Sequence, residues 1–304
     1  MPSGIFCLLV FLFACTGAIA GPAVDLIDAA LLLDPPYQDE YPASVVELQI
    51  PSNGALLPGH IYLAAGPGPH PTVVLLHGLP GNERNLDIAQ AMRRLGFNTL
   101  FFHYRGAWGA GGEYRFRHLP EDTLAVLAYL RDTSRARALR VDSATLSVLG
   151  HSLGGYTALA VGARDQELSC VMALSPANLG VWKAGLSKEG DANMARLSAY
   201  ADTLFMLKGM SGQVMVDELR ETPMAALDTA GFGPGLSNKP VLMIVGEEDS
   251  VTPAASMFDP VVEAYRLDGV ERLRALKLSG DHSFSWSRIA LTREILSWSD
   301  ANCR

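Results

Sequence analysis

The segment LSVLGHSLGGYTAL, residues 146–159, constrains this chain more than any other. An apolar run leads straight into a serine walled by glycines, and a helix-compatible stretch follows. A strand that enters a helix through so tight a turn holds Ser152 in a strained backbone conformation, and side chains two positions either side would collide with it. Gly150 and Gly154 remove those collisions, and Gly155 adds a third small residue. Such a turn lifts the hydroxyl clear of a sheet and aims the first amides of the new helix at whatever lies in front of it. The plain alternative is a glycine-rich turn with an incidental serine.

The surrounding pattern supports an α/β architecture. VVELQI and HIYLAA flank the turn-rich PSNGALLPG and predict an opening hairpin. TVVLLHG is a short continuous apolar run of the kind that forms a strand buried on both faces. NLDIAQAMRRLG, PEDTLAVLAYLRD and LGGYTALAVGAR have helical spacing, and the strand-like FNTLFFHYRG, ATLSVLGHS and SCVMALSP alternate with them. After Ser175-Pro176 the rhythm breaks: residues 177–238 offer Met-, Leu- and Ala-rich helical pieces, expected to form a small helical cap inserted over the strand ends. Alternation resumes with VLMIVG, ASMFDPVVEAYRL, RLRALKLSG and a last helix from Phe284 to Ser299. The expected fold is a mostly parallel central sheet with helices on both faces, spanning residues 45–304.

The first twenty residues stand apart. IFCLLVFLFACTGAIA ends in an Ala-Ile-Ala exit and predicts a secretory signal peptide over residues 1–20, cleaved after Ala20, and hence a secreted or periplasmic protein. Cys15 makes a lipoprotein signal the alternative, and membrane association is expected only through this segment. Of four cysteines, Cys170 and Cys303 would survive cleavage, and an oxidising compartment would let them pair. No C-x-x-C pair is present for zinc. A net charge of −8 and no Lys/Arg-rich run argue against nucleic acid as a partner.

A serine hydroxyl needs a base, and seven histidines compete for that role. His60 and His70 belong to the opening hairpin region, His77 and His103 end strands, His118 precedes a helix, and His151 points elsewhere from the elbow. His282, in LSGDHSFS, falls in the loop between the last strand and the last helix and is the expected base. A carboxylate must then fix the imidazole tautomer. VLMIVGEEDSVTP places Asp249 just past a buried strand, with Glu248 and Glu247 behind it, whereas Asp281 sits too close in sequence to reach its neighbour's ring. The order Ser152, Asp249, His282 follows. Two backbone amides are needed for the oxyanion: Leu153, after the serine, and Leu79 of HGLPGNE, since Pro80 has no N–H and Gly78 ranks second.

Taken together, LLHGLPGNERN, FFHYRGAWGAGGEY, GHSLGGY, VGEEDSVTP and GDHSFS resemble the α/β-hydrolase fold serine hydrolases, from about residue 45 to the C-terminus. The Y-R-G-x-W-G-x-G-G segment is similar to prolyl-oligopeptidase-type peptidases, serine aminopeptidases and related esterases, although the catalytic pattern starts too early for an N-terminal propeller. The resemblance implies hydrolysis of an ester, amide or short-peptide bond through an acyl-enzyme, with no metal or organic cofactor. His77, Gly78, Trp108 and Tyr114 are candidate substrate-binding residues, and Arg105 braces a loop or meets a substrate carboxylate. Met206, Met210 and Met215 pack the cap or contact an acyl chain, and Tyr156 packs the elbow helix. The apolar cap favours carboxylic esters over peptides. An acyltransferase and a non-catalytic binding protein of the same fold remain the alternatives, and oligomeric state is open. Dehalogenase-like chemistry would want Asp at position 152, and a nicotinamide enzyme would want a G-x-G-x-x-G fingerprint that HGLPGNE lacks.

Overall fold

A computed structural model describes Met1 and residues 25–186 and 192–304; the expected signal peptide and Cys15 lie outside them. Among the described residues, eight strands form one sheet: β1 (Ser44–Ser52), β2 (Ala55–Leu63), β3 (His70–Leu76), β4 (Asn98–Phe102), β5 (Val141–His151), β6 (Cys170–Leu174), β7 (Val241–Gly246) and β8 (Leu273–Leu278). Their order is β1-β2-β4-β3-β5-β6-β7-β8. The pairs β1–β2 and β2–β4 are antiparallel, and every later pair is parallel.

The described helices are α1 (Leu26–Leu32), α2 (Leu86–Arg94), α3 (His118–Arg131), α4 (Thr133–Ala138), α5 (Leu153–Arg164), α6 (Leu179–Gly185), α7 (Ala192–Ala201), α8 (Gly212–Glu221), α9 (Met224–Leu227), α10 (Gly233–Leu236), α11 (Asp259–Leu267) and α12 (Arg288–Asn302). The central strands read as unbroken apolar runs because both of their faces are covered. Val74, Leu76, Val148 and Met243 join a core with Val126 of α3, Leu159 of α5 and Val261 of α11. Their chain neighbours Val73, Leu75, Leu149 and Leu242 join a second core with Ile88 of α2 and Ile295 of α12. Each such side chain contributes about 1.5–3 kcal/mol by leaving water, so a one-residue register slip would move both cores at once.

The last helix starts at Arg288 rather than Phe284, because residues 281–287 form the turn that carries His282. α1 and α4 were not legible in the sequence. Between β6 and β7 the chain makes α6 to α10, and this stretch docks on the loop after β4. The Trp108 N–H donates to the Met206 carbonyl and the Tyr114 N–H to the Lys208 carbonyl, both at 2.9 Å. Glu218 of α8 accepts the N–H groups of Phe116 and Arg117 at 3.0 and 2.9 Å.

Cys170 in β6 and Cys303 after α12 form a disulfide with Cα atoms 5.4 Å apart. It ties the C-terminal end to the centre of the sheet.

Candidate active site

At the C-terminal end of β5 the chain turns sharply, and Ser152 adopts φ 59°, ψ −121°. The glycine requirement is steric. A Cβ at Gly150 would lie 1.9 Å from the Gly154 carbonyl oxygen, and one at Gly154 would lie 2.0 Å from the Leu76 carbonyl oxygen. The turn is held by the Ser152 N–H, which donates to the Leu174 carbonyl at 2.8 Å, and by the Gly155 N–H, which donates to the Ser152 carbonyl at 2.9 Å as α5 begins.

His282 reaches this point from the loop between β8 and α12. Its Nδ1 lies 2.8 Å from Asp249 Oδ2. Asp249, in the loop after β7, also accepts the N–H groups of Val251 and Thr252 on Oδ1 at 2.8 and 2.9 Å, and the Thr252 hydroxyl on Oδ2 at 2.7 Å. Burial alone would raise the Asp249 pKa, but hydrogen bonds from His282 and Thr252 and the imidazole charge outweigh it and hold the carboxyl far below the usual range. A carboxylate that accepts from Nδ1 leaves Nε2 as the nitrogen free to take a proton. Glu248 does different work: its carboxylate accepts the Gly280 N–H at 2.7 Å and fixes the approach to the His282 loop. Asp281 caps that loop, accepting from the Ser283 and Ser285 N–H groups at 3.1 and 2.9 Å.

One contact escaped the sequence reading. His151, expected to point away, donates from Nε2 to the His282 carbonyl at 2.7 Å, with the two rings 4.8 Å apart. Burial and the neighbouring His282 lower its pKa to about 3, so it serves as a neutral brace. Its place beside the serine on the elbow was the available signal, but a bond across 131 positions leaves no local pattern.

Ser152, His151 and His282 share a cavity of about 210 Å³ with Gly78, Leu79, Pro80, Gly81, Asn82, Glu83, Tyr200 and Ser283. Gly78 is packed against the serine: a Cβ there would lie 2.8 Å from Ser152 Cβ and 3.3 Å from Oγ. Among the described residues, the amides of Leu79 and Leu153 donate to no protein acceptor.

The remaining candidates sit elsewhere. His77 is buried behind the loop, donates from Nδ1 to the Gly78 carbonyl at 2.8 Å, and has its pKa lowered by burial to about 4. Trp108 donates from Nε1 to the Pro80 carbonyl at 2.7 Å and stacks on His103, so it braces the loop from behind. Tyr114 is fully buried in the core, packed edge-on to Phe116. Neither His77, Trp108 nor Tyr114 lines the cavity, which corrects their expected place there. Met215 is fully buried and Met206 and Met210 pack on the same core, so packing is what these methionines do. Arg105 is a brace too, pairing with buried Asp122 at 2.6 Å. Tyr156 packs the elbow helix, its hydroxyl donating to the Ala226 carbonyl at 2.8 Å.

A sequence profile of the alpha/beta hydrolase family matches residues 73–288, and this chain belongs to that family. An uncharacterised 31.7 kDa protein of Escherichia coli, from the traX-finO intergenic region, is 24% identical over 218 residues, covering 60% of this chain and 74% of that protein. Esterase EstD of Thermotoga maritima is 31% identical over 155 residues, covering 47% of this chain but only 35% of EstD. The structure of Est1E from Butyrivibrio proteoclasticus with ferulic acid bound superposes with a TM-score of 0.61 at 15% identity, covering 84% of this chain and 98% of Est1E. The chain is thus an enzyme of the α/β-hydrolase type, and its sheet and helices are those of that fold.

Proposed function

We propose that this enzyme hydrolyses carboxylic esters through an acyl-enzyme on Ser152. The observation that carries the reading is His282, paired with Asp249 at 2.8 Å, lining the same small cavity as the strained serine. His282 Nε2 removes the Ser152 proton as Oγ attacks the carbonyl carbon, and the tetrahedral oxyanion takes the Leu79 and Leu153 N–H groups. The proton passes from His282 to the departing alkoxide, leaving the acyl group on Ser152. Water then gives its proton to His282, attacks the acyl carbon, and releases the acid as Ser152 recovers its hydrogen. Each oxyanion donor contributes roughly 10²–10³ in kcat in well-studied cases.

Esters are preferred over amides in this reading because an alkoxide leaves with less help than an amine, and because EstD is among the relatives. The protein is also proposed to be exported. The Cys170–Cys303 disulfide supports this, since such bonds persist in oxidising compartments.

The test is turnover of short-chain p-nitrophenyl esters by wild type and Ser152→Ala. Wild type is expected to show an initial burst followed by steady hydrolysis, and the variant a loss of at least about 10³-fold in kcat. Comparable rates in the two would refute the assignment.

A further inference from the structure

Among the described residues, Glu83 is the acidic residue that lines the cavity in front of Ser152, and no lysine or arginine does. Glu83 Oε1 accepts the Asn85 N–H at 2.7 Å, and among the described residues the carboxylate makes no ion pair. The neighbouring arginines are committed elsewhere. Arg288 pairs with Asp87 at 2.6 Å, and Arg84 stands 5.6 Å from the ring centroids of both Phe101 and Trp108, away from the cavity.

A second group in the same cavity has the matching chemistry. Tyr200, from α7, brings an aromatic ring to the mouth. A half-buried carboxylate and the π face of a tyrosine are both attractive to an organic cation, and neither gains from an anion. Ligand pockets for larger molecules run to roughly 300–1,000 Å³, so a cavity of about 210 Å³ encloses only a small group near the serine.

We propose that the substrate carries an ammonium group next to its scissile ester, read by Glu83 and Tyr200. The proposal rests on the serine-hydrolase reading above and adds the substrate class. The ammonium takes no part in bond making. Water adds across the ester to give acid and alcohol, and the nitrogen keeps its charge throughout. Glu83 also disfavours rebinding of the carboxylate product, which carries the same sign of charge.

The ammonium can lie on the acyl side, as in an amino-acid ester, or on the alcohol side, as in a choline ester, and two substrate pairs separate these. p-Nitrophenyl 2-aminopropanoate is compared with p-nitrophenyl 2-methylpropanoate, and acetylcholine with 3,3-dimethylbutyl acetate, each corrected for spontaneous hydrolysis. In one pair the cationic member is expected to have the higher kcat/KM. Glu83→Gln, which keeps an oxygen for Asn85, should cut that ratio roughly fivefold to tenfold. The ratio should persist in Tyr200→Phe and fall in Tyr200→Leu, and added salt should lower it in wild type but not in Glu83→Gln. Ratios within twofold of each other in wild type and Glu83→Gln, for both pairs, would overturn the proposal while leaving the hydrolase reading intact. No turnover of any ester, with no fluorophosphonate adduct on Ser152, would overturn both.

Discussion

Asp249 is the acidic residue on which the geometry of His282 rests. Its carboxylate receives four hydrogen bonds from His282, Val251 and Thr252, so it stays ionised well into acid. Asp249→Asn would remove the acceptor that fixes the His282 tautomer, and a loss on the order of 10⁴ in kcat at neutral pH is expected. A linked stability effect follows from the direction of the shift. A folded-state pKa below the unfolded value gives stability that is full above the unfolded value, near 3.8 for Asp, and is lost as pH falls through the folded value. The melting-temperature advantage of wild type over Asp249→Asn should therefore be full at pH 7 and shrink below about pH 4. An advantage that grew on acidification would contradict the assignment of the shift.

The loop from Gly78 to Asn85 shows how elements, rather than single residues, position the chemistry. It offers Leu79 to the cavity, while His77 and Trp108 hold it from behind through the Gly78 and Pro80 carbonyls. Trp108→Phe would delete the 2.7 Å bond to Pro80 and loosen the proposed oxyanion donor without touching substrate. A fall of roughly tenfold in kcat, about 1.4 kcal/mol, with KM little changed is expected from steady-state kinetics. A change confined to KM would place Trp108 in the pocket after all. The same loop marks the limit of what the sequence made legible. Continuous apolar runs such as TVVLLHG announced their strands because burial on both faces leaves no polar alternation, and the glycines at 150 and 154 announced the elbow because nothing larger fits. Asp249 and His282 could be picked out as candidates because each lies just beyond a strand at the same edge of the sheet. Tyr114 and Trp108 fall outside the cavity lining because closeness to a motif in sequence does not say which side of a loop a ring takes. The short helix α4 went unseen because TSRARA carries no apolar stripe.

At the scale of the molecule, the stretch between β6 and β7 packs on the loop after β4 and sends Tyr200 toward the serine, so access to the site and the interior are shaped together. The Cys170–Cys303 bond closes a sequence separation of 133 residues and stabilises by about 5 kcal/mol in the chain-entropy account. Reduction, or Cys303→Ser, should lower the melting temperature by several degrees while ester hydrolysis persists below the transition. An unchanged melting temperature would mean that the bond does not form in the folded protein.

Every step proposed for this site requires Ser152 to be an activated nucleophile. The most direct measurement is intact mass of wild type and Ser152→Ala after exposure to a fluorophosphonate, with peptide mapping of any adduct. One adduct per wild-type chain, mapped to Ser152 and absent from the variant, is the predicted result. A folded wild type that takes up no reagent, or is labelled at another residue while Ser152→Ala is labelled equally, would contradict it.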